Sequence, residues 1–205
     1  MSSYSSNMKK SEDIYQLMKK LNNIGWKTIR ESSLNRIIYL AAVLYSFRYP
    51  KEENILQNEY MFSVTLSGPE DAEIENALIN LESNDVIMQT EEGYQICKGA
   101  VFSINAVFDS KKSEWFDDIA YIIGIYGEDK IYDFIFRDPE YRKTLKGNSI
   151  YNLNIGPENA TVNFLNGFKA AFEEKIQNKD DVLNNRQYLE LYFEYVFGMI
   201  LRGEK

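Results

Sequence analysis

Histidine is absent from this 205-residue chain and cysteine occurs once, at Cys97. The first absence removes the commonest general base, the Ser-His-Asp and Cys-His nucleophile systems, and the commonest metal ligand. The second removes internal disulfides and every CxxC metal or redox motif. Long apolar runs are missing too: Ile37–Tyr45 and the shorter Tyr195–Leu201 fall well below the ~20 residues that span a bilayer. No apolar stretch follows Lys9 and Lys10, so a secretory signal is not expected and a cytoplasmic location is. The glycine-containing pieces Gly93–Gly99 and Gly124–Gly127 lack both the Lys-Ser/Thr of a phosphate loop and the dinucleotide fingerprint. The acidic doublets Glu52-Glu53, Asp117-Asp118, Glu173-Glu174 and Asp180-Asp181 are adjacent residues, which diverge on a helix and read as solvated faces. No catalytic residue, metal or cofactor is therefore expected. An enzyme resting on carboxylates, Tyr and Lys alone would need a buried Asp or Glu with a raised pKa inside a deep pocket.

What is present begins with length and charge. A chain of this size buries roughly 70% of its unfolded surface and needs no staples. The net charge of −8 conceals an asymmetry: residues 1–50 hold eight basic and three acidic side chains, and residues 51–100 hold two basic and eleven acidic. Phosphate contacts are therefore expected only from the N-terminal segment, with Lys9, Lys10, Lys19 and Lys20 as the candidates.

The Ser/Asn-rich residues 1–10 read as a flexible arm. Ile14, Leu17, Met18 and Leu21 then follow helical spacing, ended by Asn22-Asn23 and Gly25. A second helix, capped at Ser32-Ser33 and closed by Pro50, is apolar on more than one face, as at the centre of a domain. Ser67-Gly68-Pro69-Glu70 reads as the start of a helix reaching Ser83, and Val86–Met88 with Tyr94–Ile96 flank a Gly93 turn as a β-hairpin. The order matches a winged helix-turn-helix. Beyond it, helices are expected around Trp115–Ile123, Ile131–Ile135, after Gly156-Pro157-Glu158, and from Arg186 to Leu201; the last is either a core helix or an oligomer seam. Gly68–Ile74 and Gly156–Val162 echo one another, through shared helix-start grammar or through duplication of the wing domain. The expected fold is thus mainly α with a small β-hairpin. A winged-helix domain over residues 11–105 follows the arm, and a helical domain over 110–205 packs against it.

A DNA-reading helix carries Arg, Lys, Asn or Gln to base edges. Residues 69–83 instead carry Glu70, Asp71, Glu73, Glu75 and Glu82 with no Lys or Arg, and the hairpin tip adds Glu91 and Glu92. Such a helix suits a protein partner, and Glu70, Asp71, Glu73 and Glu75, with Tyr192 and Tyr195 of the aromatic C-terminal helix, are the candidate partner-binding residues.

The run Leu34–Tyr45, followed by Leu66-Ser-Gly-Pro69, Ala77–Ile87 and the Gly93–Ile96 hairpin, resembles the small middle components of bacterial ABC three-component defence systems of the Lamassu type. The resemblance covers about a third of the chain. It implies a non-catalytic accessory subunit that bridges an SMC- or Rad50-like ATPase and an effector, often a nuclease, in anti-phage immunity, and it supplies no catalytic residues. Winged-helix transcription regulators and antitoxins share the same order of elements, and they are the alternative.

Overall fold

A computed structural model describes residues 2–102, 109–147, 152–175 and 183–201. These form eight α-helices and two antiparallel hairpins, so the fold is mainly α. Most of the expected boundary at 105–110 and the acidic doublet Asp180-Asp181 lie outside the described residues.

Helix α1 spans Ser2–Asn23 and takes in residues 2–10, where composition alone suggests an arm. Tertiary contacts override the weak local propensity. Lys10 and Ser11 are buried, and the Ser11 hydroxyl meets the Ala77 carbonyl while Asn80 donates to Ser11 at 2.9 Å. The stripe Ile14, Leu17, Met18 and Leu21 is fully inside.

Helix α2 (Glu31–Arg48) is the hub, buried continuously from Ser33 to Phe47 and packed against elements from both halves of the chain. It starts earlier than its serines suggest. Arg30 holds extended backbone because Ile29 is bridged to Tyr94, so the helix begins at the next residue, and the Ser33 hydroxyl is buried without a partner among the described residues.

Strands β1 (Ser63–Thr65) and β2 (Gly68–Glu70) form one hairpin. Gly68-Pro69-Glu70 is thus a strand rather than a helix start. Gly68 has φ +124°, which favours the hairpin turn, and α3 (Ala72–Ser83) begins at the next capping residue, where the Asp71 carboxylate accepts from the Glu73 amide at 2.9 Å. Strands β3 (Ile87–Thr90) and β4 (Gly93–Ile96) make the expected hairpin. Ile29 pairs with Tyr94 through two backbone hydrogen bonds of 2.9 Å, adding a third extended segment to its edge.

In the second half, α4 (Ser110–Ile122) is capped by Asp109, and a 3-10 turn at Gly124–Tyr126 leads to α5 (Glu128–Ile135). Helix α6 (Pro139–Lys146) is capped by Asp138 with Pro139 in its first turn. Helices α7 (Ala160–Glu173) and α8 (Asn185–Leu201) complete the order. Helix α8 buries Tyr188, Leu189, Tyr192, Phe193 and Phe197, and the Phe134 ring of α5 lies 5.0 Å from Phe193 and 5.8 Å from Phe197. It is a core helix. The hydrophobic core is one contiguous cluster from Ile14 to Phe197.

Candidate functional site

The acidic helix divides its carboxylates. Glu70, Glu73 and Glu75 are exposed and have no ion-pair partner among the described residues. Asp71, expected among the partner-binding residues, points inward instead: it is 3% exposed, caps α3 and holds the Lys10 ammonium with both oxygens, at 3.0 and 2.8 Å. Glu31, at the start of α2, has its carboxyl pKa raised, first by burial and then by Glu75 and Glu70. Burial likewise raises the Tyr94 phenol, with Glu31, Glu82 and Glu75 adding to it. Glu31, Glu75 and Glu82 thus lie near Tyr94, and Glu70 lies near Glu31, so that α2, β2 and α3 contribute to one acidic surface. The neighbouring α3 and β3 also expose Ile79 and Met88.

The N-terminal basic segment is less available than its sequence suggests. Lys10 is sealed by Asp71, so it cannot reach a phosphate. Lys20 lies 2.6 Å from Asp117, and Lys19 sits 5.4 Å above the Tyr15 ring. Lys9 is exposed.

Tyr192 and Tyr195 lead to a concavity. Tyr195 is 57% exposed, whereas Tyr192 is buried to 4% and has its phenol pKa raised by that burial, with Asp138 adding to it. Both line a cavity of about 920 Å³ between α5, α6, α7 and α8. Its aromatic wall is assembled on Tyr192, with Phe164 at 6.0 Å and Phe168 at 5.7 Å between ring centroids. Its other wall carries Arg137, Arg142, Lys143 and Lys146.

This basic wall escapes the sequence reading because residues 137–146 also contain Asp138 and Glu140. Both acids are turned inside. Asp138 is fully buried and its carboxylate accepts from the Tyr39 hydroxyl, the Tyr141 amide and the Thr161 hydroxyl. Burial raises its pKa, and those hydrogen bonds work the other way. Glu140, 3% exposed, accepts from the Ala160 amide at 2.7 Å. The capping phrase Asp138-Pro139-Glu140 was the available signal for a helix that places Arg142, Lys143 and Lys146 on one face.

A second buried charge cluster joins α1, α4 and the loop before β1. Lys112 donates to Asp13 at 3.0 Å and to Glu59, and the Tyr60 hydroxyl donates to Asp13 at 3.1 Å. One ammonium faces two carboxylates. Burial pushes the Asp13 carboxyl up to about 7, against the pull of Lys112 and with Glu59 adding to the rise. Burial disfavours the Lys112 ammonium, but Asp13 and Glu59 outweigh it and the lysine pKa is raised. Asp13 is 3% exposed and does not line the cavity. No group of three or more Cys, Asp or Glu placed to hold a metal ion occurs among the described residues, and none of their helices is long and apolar enough to cross a membrane. The chain matches no family model, no curated protein and no solved structure.

Proposed function

We propose that this chain is a non-catalytic accessory subunit that links an SMC- or Rad50-like ATPase to an effector in anti-phage defence, with the acidic surface around Tyr94 facing the ATPase. The classes of partner come from the resemblance of residues 34–96. The observation that carries the docking surface is the group of exposed acids Glu70, Glu73 and Glu75, none with an ion-pair partner among the described residues, beside Glu31, whose carboxyl pKa is raised by burial and then by Glu75 and Glu70. Uncompensated like charges cost stability in the free chain, and a basic partner surface relieves that cost. Exposed Ile79 and Met88 on the adjoining elements supply the apolar part that such an interface needs.

The winged-helix reading of the N-terminal half has its own support in the order α1, Ile29, α2, α3, β3, β4, with the β1–β2 hairpin inserted between α2 and α3, and in the bridge from Ile29 to Tyr94. Its acidic α3 fits protein docking. A regulator or antitoxin that grips phosphates through Lys9, Lys10, Lys19 and Lys20 loses Lys10 to Asp71 and engages Lys20 with Asp117.

The test is co-purification of the tagged chain with the products of its neighbouring genes. An SMC-like ATPase is expected to co-elute, and the triple variant Glu70→Lys, Glu73→Lys, Glu75→Lys is expected to release it. If no ATPase co-elutes with the wild-type chain, the proposal is wrong.

A further inference from the structure

The cavity between α6 and α8 combines cations with exposed rings, and the geometry points to a binding site for single-stranded nucleic acid there. The cations come first. Arg142 and Lys146 stand one helical turn apart on α6, about 6 Å along its axis, with Lys143 beside them. A row of that kind follows a chain of charges rather than one point charge. Lys143 is 65% exposed and approaches Glu140 at 3.5 Å, while Arg142 and Lys146 have no ion-pair partner among the described residues. In a chain with net charge −8, this concentration depends on the inward turn of Asp138 and Glu140.

The aromatic wall decides the class of anion. Phe164 and Tyr195 are half exposed at 55% and 57%, and the Phe164 ring packs on Tyr192, which in turn meets Phe168. Rings left in solvent beside cations suit stacking on unpaired bases, each of which has a π-face, while the cations take the phosphates. In a duplex the bases are already stacked on each other and cannot enter such a wall. An acidic peptide would satisfy the cations as well, but cations along one wall and rings along the other match the phosphates and bases of a single strand, and polyglutamate tests the difference. The site is independent of the ATPase-docking surface, so it can be tested on the isolated chain.

The experiment is fluorescence anisotropy of a labelled oligothymidylate 12-mer with the full chain at 50–200 mM salt, repeated with an abasic 12-mer, a blunt duplex and polyglutamate as competitor. Binding is expected to weaken with salt at a log–log slope of about −1.5 to −2, for two or three phosphates at about −0.7 each. Arg142→Glu with Lys146→Glu is expected to lower affinity more than tenfold. Phe164→Ala and Tyr195→Ala, both at exposed positions, are each expected to lower it about 5- to 100-fold. Thermal melts matching the wild type would assign these losses to the site. Lys9→Glu with Lys19→Glu should leave binding intact, and the abasic strand should bind as weakly as the ring variants. Absence of oligothymidylate binding overturns the proposal, as do equal affinity for the abasic strand, equal loss with the Lys9 and Lys19 variant, or preferential displacement by polyglutamate. The last outcome would make the cavity a dock for an acidic protein segment.

Discussion

Asp71 accepts from the Lys10 ammonium at 3.0 and 2.8 Å, from the Glu73 amide at 2.9 Å and from the Met61 amide at 2.8 Å. Removing this one carboxylate uncaps α3 and strands a buried ammonium, so Asp71→Ala is expected to cost about 3–5 kcal/mol in urea unfolding. Glu73→Ala, two residues along and exposed, should change stability by less than about 0.5 kcal/mol. In sequence the two acids look alike. What separates them is Lys10, 61 positions away, and no local pattern encodes a partner at that distance. The same blindness hid Asp13 and its Lys112. Folding raises the Asp13 carboxyl from 3.8 to about 7, so between these values the native state holds a proton that the unfolded chain gives up. Its stabilising contribution is therefore complete below about pH 4 and is lost as pH rises toward 7. Urea midpoints from pH 4.5 to 7.5 should fall with pH more steeply in the wild type than in Asp13→Asn; parallel profiles would show that Asp13 does not titrate there.

At the scale of elements, helical periodicity was legible and helix starts were not. The stripes of α1, α3 and α8 stand where spacing places them, because burial of one face is what the pattern encodes. Gly68-Pro69 and Gly156-Pro157 both look like helix starts, yet each helix waits for the capping side chain that follows, Asp71 or Asn159. The two echoing segments share this capping. Asp138-Pro139-Glu140, which does open a helix, reads equally well as the end of the preceding one. The Ile29 bridge was hidden for another reason: a single paired residue has no period. It depends on Gly93, whose φ is +136° and whose absent Cβ would lie 2.7 Å from the Ile29 carbonyl oxygen. Gly93→Ala should cost about 1–3 kcal/mol and lower hydrogen-exchange protection of the Tyr94 amide about tenfold or more. Unchanged protection would mean that the bridge is dispensable to this edge.

For the whole molecule, the question is whether the two halves expected from sequence unfold separately. Many hydrogen bonds cross between them, among them those of both tryptophans. The Trp115 indole donates to the Ala41 carbonyl at 3.0 Å, the Trp26 indole to the Gly124 carbonyl at 2.9 Å, Tyr39 to Asp138 at 2.9 Å, and Asn54 to the Ile155 carbonyl at 3.1 Å. Helix α2 has no exposed face with which to survive alone, since α4, α5, α7 and α8 cover the part that β2 and α3 do not. A contiguous core of this kind unfolds as a unit. Both tryptophans sit on the shared surface, so their fluorescence reports its opening while far-UV circular dichroism reports the helices. The two signals are expected to give one coincident urea transition, and a fragment ending at residue 105 is expected to lack it because α2 would face water. A tryptophan transition that precedes the loss of helix would show two separable halves. That result would also bear on function: the acidic surface and the basic cavity would then move independently, whereas a single transition means that whatever docks on one is held rigidly relative to the other.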